Sequence, residues 1–159
     1  MPLAEEEQKR LTAAQGYLDL GMFLEANEEL EEIDADVRHL SEVLEVRLGI
    51  YEHLERWELL QTVAKTLVSR DDRNQRAFLA WAKAERRQGR DDDARAVLFA
   101  GIAANSGRSG ELWLALACLE CEVGNLERAK DALCKAIDAD RTLRLRALNE
   151  TALAPLWEA

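Results

Sequence analysis

Several residue types are scarce in this chain of 159 residues, and each scarcity excludes a class of protein. Two prolines and eight glycines are too few for an all-β protein, which needs many turns. No window reaches the roughly 18 consecutive apolar residues of a membrane span. The acidic start, MPLAEEEQKR, has no apolar stretch of signal-peptide length, so no export signal is expected. Only two histidines, His39 and His53, are present. We expect them near opposite ends of one helix, where they cannot share a metal ion.

Cysteine is scarce as well. Cys118, Cys121 and Cys134 form an odd set within one region, which argues against a disulfide framework and for a reducing cytoplasm. Cys118 and Cys121 have the C-x-x-C spacing but fall inside a predicted helix, whereas a redox pair normally starts one. Cys134 alone does not complete a four-ligand zinc site. We expect packing or solvent-facing cysteines, with redox and metal roles as weaker alternatives, and no cofactor.

The composition is that of a soluble globular protein, with 48% hydrophobic and 33% charged residues. Alanine, leucine, glutamate and arginine are abundant and are strong helix formers, so the composition predicts an all-α fold. The net charge of −10 disfavours nucleic acid as a partner, because the phosphate backbone would repel the chain.

An internal repeat organises the chain. GNLERAKDALCKAIDAD begins at Gly124, and GRDDDARAVLFAGIAAN begins 35 residues earlier at Gly89. Two further copies begin at Gly21 and Glu55, with steps of 34 residues. Upstream of each start, apolar residues recur at spacings of three and four, as one face of a helix requires. Each unit is therefore predicted to be two helices of about 14 residues joined by a tight turn, with glycine ending the first helix.

Small residues recur within the second helix of each unit. Ala26, Ala94 and Ala129 occupy equivalent positions, where a larger side chain would push the two helices apart. A helix pair of this kind cannot bury its apolar face alone, so neighbouring pairs must stack into an array.

These units resemble tetratricopeptide repeats, whose 34-residue helix–turn–helix has large, small and aromatic positions in the first helix. The fourth unit carries the resemblance best, through Trp113, Leu116, Ala117, Gly124 and Ala129. Leu48 departs from the family's small residue, and the closing proline is missing from all units. The resemblance implies an all-α, right-handed α-solenoid forming a single domain over residues 1–159. Its predicted repeats span 7–40, 41–74, 75–108 and 110–141, with a cap over 142–159.

The predicted cap contains five apolar residues that suggest a last helix and a tail: Leu145, Leu148, Leu153, Leu156 and Trp157. Pro155 is expected to end regular structure. The simpler interpretation is that this segment covers the exposed apolar face of the last repeat. The alternative is that it docks on a partner or on a second copy.

The resemblance also implies that the first helix of each repeat lines a concave groove. The candidate partner-binding residues carried over in this way are Arg76, Leu79, Lys83, Arg86, Arg87, Leu114, Cys118, Glu45 and Glu52. Arg76, Lys83, Arg86 and Arg87 would form a cationic strip between acidic walls. Either flanking glutamates neutralise this strip, or it docks a carboxylate-bearing partner segment that arginine grips bidentately.

The favoured function is a non-catalytic, cytoplasmic adaptor that binds a peptide or helix of a partner protein, with no nucleic-acid or membrane partner. One alternative is a small acidic chaperone that holds a hydrophobic client through Leu11, Leu18, Leu79 and Leu114. Another is a self-assembling scaffold or homodimer, formed through the acidic N-terminus or the tail around Trp157. An enzyme is the weakest alternative, because no nucleophile, base and metal ligands converge in the pattern.

Overall fold

The computed structural model describes residues 2–158, which form helices and turns and contain no strand. They divide into two compact units, one ending at Arg70 and the other beginning at Asp71. The first unit contains four helices, α1 (Glu5–Asp19), α2 (Phe23–Glu31), α3 (Ser41–His53) and α4 (Trp57–Arg70). The second contains α5 (Gln75–Arg87), α6 (Asp91–Ala104), α7 (Gly110–Glu122), α8 (Leu126–Ala139), α9 (Leu143–Leu148) and a 3-10 helix (Thr151–Leu156). The predicted all-α class is confirmed.

Consecutive helices pack as four hairpins: α1 with α2, α3 with α4, α5 with α6, and α7 with α8. Helix α1 begins at Glu5, two residues before the predicted start of the first repeat. The prediction of a 14-residue second helix is wrong for this repeat, since α2 ends at Glu31 after nine residues. The backbone N–H of Asp36 donates to the Asp34 carboxylate at 2.9 Å, and such a local turn competes with helical hydrogen bonding.

A left-handed residue closes the turn of every hairpin. Gly21, Gly89 and Gly124 have φ values of 76°, 78° and 87°, and Glu55 takes the same place in the second hairpin with φ 56°. The N–H of the next residue donates back to the last turn of the first helix in all four cases, at 2.7–3.0 Å. These are the bonds of a Schellman motif, which satisfies the carbonyl groups left open at a helix end. The helix stops predicted at the three glycines are confirmed.

The small residues lie at the centre of the packing. Ala26, Ala94 and Ala129 are at most 1% exposed. Gly101 of α6 is equally constrained, because a Cβ there would lie 2.8 Å from the Phe78 ring on α5. Small side chains at these positions let the two helices of a hairpin approach closely, as the sequence predicts.

The C-terminal segment packs differently from the prediction. Leu145 and Leu148 are exposed, and the buried apolar residues are Leu143, Ala147 and Leu153. Leu143 and Ala147 lie four residues apart on α9, so they set the face that packs inward and turn Leu145 and Leu148 outward. Pro155 lies inside the 3-10 helix and does not end regular structure.

The two histidines do not share a helix, contrary to the prediction. His39 lies in the turn before α3, whereas His53 is the last residue of that helix. The His53 ring stacks on Phe23 with centroids 4.4 Å apart, and its Nδ1 lies 2.8 Å from the Gly49 carbonyl oxygen. His53 is thus a packing residue between α2 and α3.

None of the helices within residues 2–158 is both long and apolar enough to cross a membrane.

Replacing Glu55 with glycine is expected to stabilise the protein. The left-handed conformation costs a non-glycine residue about 1–2 kcal/mol, and glycine at position 55 would remove this cost. Glycine also loses more backbone entropy on folding, which offsets about 0.5–1 kcal/mol of the stabilisation. We expect a net increase of about 0.5–1 kcal/mol in the free energy of unfolding, measured by urea denaturation. Glu55→Ala is the matched control and should give no such gain. An equal gain in both variants would mean that backbone strain is not the cause.

Candidate partner-binding surface

Helix α5 carries most of the predicted binding residues. Asn74 caps its N-terminus, since the Asn74 side chain accepts a hydrogen bond from the Ala77 N–H at 2.9 Å. Its buried residues are Ala77, Phe78, Ala80, Ala82, Ala84 and Glu85. Arg76, Lys83 and Arg87 are exposed, and Leu79 is half-buried among them. Because these four residues recur at helical spacing, they form one continuous stripe, which we call the α5 stripe.

Arg86 belongs to a different environment. Its guanidinium forms an ion pair with the Glu122 carboxylate at the end of α7. Neutralisation by flanking glutamates was one of two alternatives for the whole cationic strip, and this pair is an instance of it at Arg86. Arg86 therefore joins α5 to α7 and is not part of the exposed stripe.

Leu114 and Cys118 were expected in an open groove on α7, but the chain covers this face with its own C-terminal segment. Leu114 is buried and Cys118 is half-buried. The 3-10 helix packs against α7, and Leu153 within it is fully buried. Arg146 of α9 also pairs with Glu111 of α7, with 2.6 Å between Nη1 and Oε1. This packing agrees with the interpretation of the segment as a cap over the last repeat. The assignment of Leu114 and Cys118 to a partner-binding groove stays a prediction that their burial does not favour.

Cys118 and Cys121 both lie on α7, where burial acts on the two thiols. Burial is the main cause that raises the pKa of Cys118 from 9.0 to about 12, and the nearby Glu150 carboxylate adds to the shift. Burial also raises the pKa of Cys121. These shifts are opposite to the lowered pKa that marks reactive cysteines. In the part of the chain that the structure describes, no cluster of three His, Cys, Asp or Glu side chains could hold a metal ion.

Glu45 and Glu52 both lie on α3, in the first unit. Each is half-buried, and they are seven residues apart, so they lie on one face of the helix. Their assignment to a partner-binding groove stays a prediction that rests on the resemblance.

A pair of buried carboxylates was missed in the sequence. Glu85 on α5 and Glu120 on α7 are 4% and 2% exposed, although glutamate is seldom buried without a partner. Each binds across the turn that follows its helix: Glu85 pairs with Arg90, and Glu120 accepts from the Asn125 amide at 2.7 Å. The signal was available, because the two glutamates are 35 residues apart and so occupy the same position in successive repeats.

Arg95 of α6 also donates to Glu120, with 3.3 Å between Nη2 and Oε2, and so ties the third hairpin to the fourth. Burial alone would raise the pKa of Glu120, but the hydrogen bonds from Arg95 and Asn125 outweigh it and lower the pKa below its usual 4.5. This ion pair holds α6 against α7. Both helices help to position the candidate surface on α5.

A shallow cleft of about 440 Å³ opens beside this ion pair on the second unit. Trp113 lies in it, donating its indole N–H to the Gly107 carbonyl at 2.9 Å, and the Lys135 ammonium lies 4.8 Å from the ring centroid. Phe99 lines the same cleft and is half-exposed. Because Asp131 already pairs with Lys135 at 3.0 Å, the cleft has no single sign of charge that would select a ligand.

Comparison with known proteins identifies solved structures that share this fold. No protein-family model matches the chain, and no curated protein sequence matches it. Solved structures do match. TTC0263, a thermophilic tetratricopeptide-repeat protein of Thermus thermophilus, is 23% identical with a TM-score of 0.72, covering 89% of this chain and 79% of its own. MamA residues 41-end from Desulfovibrio magneticus is 18% identical with a TM-score of 0.72, covering 99% and 92%.

The chain therefore has the fold of tetratricopeptide-repeat proteins, and the resemblance seen in the sequence is confirmed at the level of the fold.

The Glu120 ion pair predicts a pH-dependent loss of stability. The folded state holds the pKa of Glu120 below its value in the unfolded chain. The ion pair therefore contributes fully to the free energy of unfolding when the pH is above the unfolded pKa. This contribution is lost as the pH falls through the folded pKa. At pH 7 we expect Glu120→Gln to lower the free energy of unfolding by about 1–3 kcal/mol. The difference from wild type should shrink below pH 4.5. The control, Glu127→Gln, removes a 90% exposed partner of Lys130 and should cost less than about 0.5 kcal/mol. An unchanged difference at pH 3 would contradict this account.

The C-terminal cover over α7 can be tested through Cys118. Leu153→Ala should lower the free energy of unfolding by about 2–5 kcal/mol, because it opens a cavity under a fully buried side chain. Thiol labelling of Cys118, followed by peptide mass spectrometry, should become at least about tenfold faster as burial is lost and the thiol pKa falls. Leu148→Ala is the control, since Leu148 is 59% exposed. Equal labelling rates in wild type and Leu153→Ala would show that the segment does not protect α7.

Proposed function

We propose that the protein is a non-catalytic adaptor that binds a carboxylate-bearing segment of a partner protein on the α5 stripe. One observation carries the proposal. Arg76, Lys83 and Arg87 are exposed along one helix face, with the half-buried Leu79 between them, in a chain of net charge −10. A cationic face on an acidic protein is a local departure that selects an anionic partner.

The side chains of the stripe suit such a segment. Arginine presents a planar fork that a carboxylate can accept bidentately, and Lys83 adds a third positive charge one turn from Arg87. Leu79 offers an apolar contact in the centre of the charged residues. A few anchors of this kind with charged rim contacts give a micromolar affinity, roughly −8 kcal/mol.

We restrict the proposed surface to a part of the nine predicted residues. Leu114 and Cys118 lie under the C-terminal segment, and Arg86 is held by Glu122, so these three are not part of the proposed surface. Glu45 and Glu52 lie in the first unit and stay predicted binding residues on the tetratricopeptide resemblance alone.

The chaperone alternative has less support. It requires an open apolar surface, but Leu11 and Leu114 are buried, and Leu18 and Leu79 are half-buried. A reducing cytoplasm is the compartment that we propose, because an odd set of unbridged cysteines suits it. Nucleic acid and membrane surfaces are not proposed as partners, since both carry the same sign of charge as the protein.

Charge reversal on the stripe tests the proposal. A synthetic amphipathic peptide of glutamate and leucine serves as the probe, with binding followed by fluorescence anisotropy. We expect Lys83→Glu with Arg87→Glu to weaken binding at least about tenfold, since two attractive contacts become repulsive. The matched control is Arg73→Glu with Lys130→Glu, which changes the net charge equally at two exposed positions off the stripe.

Equal weakening in both double variants would mean that net charge and not the α5 stripe binds the peptide. The natural partner can then be identified by affinity purification from the native host with mass spectrometry, using wild type and both double variants as bait. A partner kept by the control and lost by the stripe variant is the expected result.

A further inference from the structure

The charge of this chain is divided very unevenly. Residues up to Arg70 include sixteen Asp and Glu against seven Lys and Arg, whereas those from Asp71 onward include fifteen against fourteen. Nearly all of the net charge of −10 therefore belongs to the first unit. Within it, residues 19–36 contain eight carboxylates and no lysine or arginine.

This acidic stretch forms one exposed patch with apolar residues at its edge. Leu20 and Leu24 are 76% and 65% exposed, beside Glu25, Glu28 and Glu32. The three glutamates line a shallow cleft of about 340 Å³ together with Tyr17 and Glu29. Glu29 pairs with Arg10, but no basic side chain within residues 2–158 pairs with Glu25, Glu28 or Glu32. We call Leu20, Leu24, Glu25, Glu28 and Glu32 the N-terminal patch.

The other end of the chain presents the opposite chemistry. Residues 141–149 contain three arginines and no acidic residue. Leu143 and Ala147 of α9 pack inward, which leaves Arg141, Arg144, Leu145 and Leu148 exposed on the outer face. Leu145 is 74% exposed, and neither Arg141 nor Arg144 pairs with a carboxylate in the described chain. We call these four residues the C-terminal patch.

The outer face of a terminal repeat is normally polar. Each patch instead combines two exposed leucines with two or three charges that lack a partner. The charges are opposite in sign, and the apolar parts are similar in size. The negative charges of the N-terminal patch can therefore pair with the positive charges of the C-terminal patch, and the exposed leucines of the two patches can pack together.

We infer that copies of this chain associate head to tail, with the C-terminal patch of one copy docked on the N-terminal patch of the next. A second copy is favoured over an unrelated basic or acidic protein because both complementary surfaces belong to the same chain. A head-to-tail contact joins unlike charges, whereas a two-fold symmetric contact through either patch would join like charges. This function is additional to partner binding on the α5 stripe.

Complementary charge reversals give a sharp test. One variant, Arg141→Glu with Arg144→Glu, makes the C-terminal patch acidic; the other, Glu28→Arg with Glu32→Arg, makes the N-terminal patch basic. Sedimentation velocity is run on the full-length chain from about 1 µM to about 1 mM, so that weak association is detected. We expect the average mass of the wild-type protein to rise with concentration. Each variant should need a concentration at least about tenfold higher to reach the same average mass.

Mixing the two variants is the decisive measurement. Each acidic C-terminal patch then meets a basic N-terminal patch, and the remaining two patches keep their natural signs, so association should return to the wild-type level. All substituted residues are exposed, and unchanged circular dichroism confirms that the variants fold. Leu145→Ser with Leu148→Ser removes the apolar contact without changing charge and should weaken association as well.

A wild-type chain that stays monomeric up to 1 mM would overturn the inference. So would variants that associate like wild type, or a mixture of the two that remains monomeric. Lys83→Glu with Arg87→Glu should leave the association unchanged, so the two proposals fail separately.

Discussion

The close contact between the two helices of each hairpin is the constraint on which the rest of this structure depends. Ala26, Ala94 and Ala129 lie at the crossing points with almost no exposed surface. Because their side chains are small, large residues on either side of the crossing can interdigitate and be removed from water. Each hairpin then offers a further apolar face that only a neighbouring helix can cover. Repetition of one local contact thus extends into a helical-repeat fold.

The turns fix the geometry in which that contact is made. A left-handed residue after each first helix, with hydrogen bonds back to its last turn, sets the direction in which the second helix leaves. In the third and fourth hairpins a buried glutamate, Glu85 or Glu120, reaches across the same turn. The fourth hairpin is further tied to the third by Arg95. Electrostatics in the second unit therefore reinforce packing that apolar residues establish.

The charged residues are distributed unevenly between the two units, which the net charge alone does not show. The first unit is strongly acidic, and the second is nearly neutral with a cationic stripe on α5 and a basic outer face on α9. Within the second unit, the C-terminal segment covers α7, whereas α5 and α9 both keep exposed basic side chains.

The sequence by itself determined the helical hairpins and the three glycine turns, because each depends on contacts within a few turns of chain and recurs along it. The tetratricopeptide resemblance then put Arg76, Leu79, Lys83, Arg86 and Arg87 in a candidate groove, with Lys83 and Arg87 on one helical face. Only the tertiary structure decided that Arg86 is held by Glu122, that Leu114 and Cys118 are covered, and that Leu145 and Leu148 point outward. Those outcomes depend on where a short, non-repeating C-terminal segment folds back, and its apolar pattern is compatible with more than one packing face.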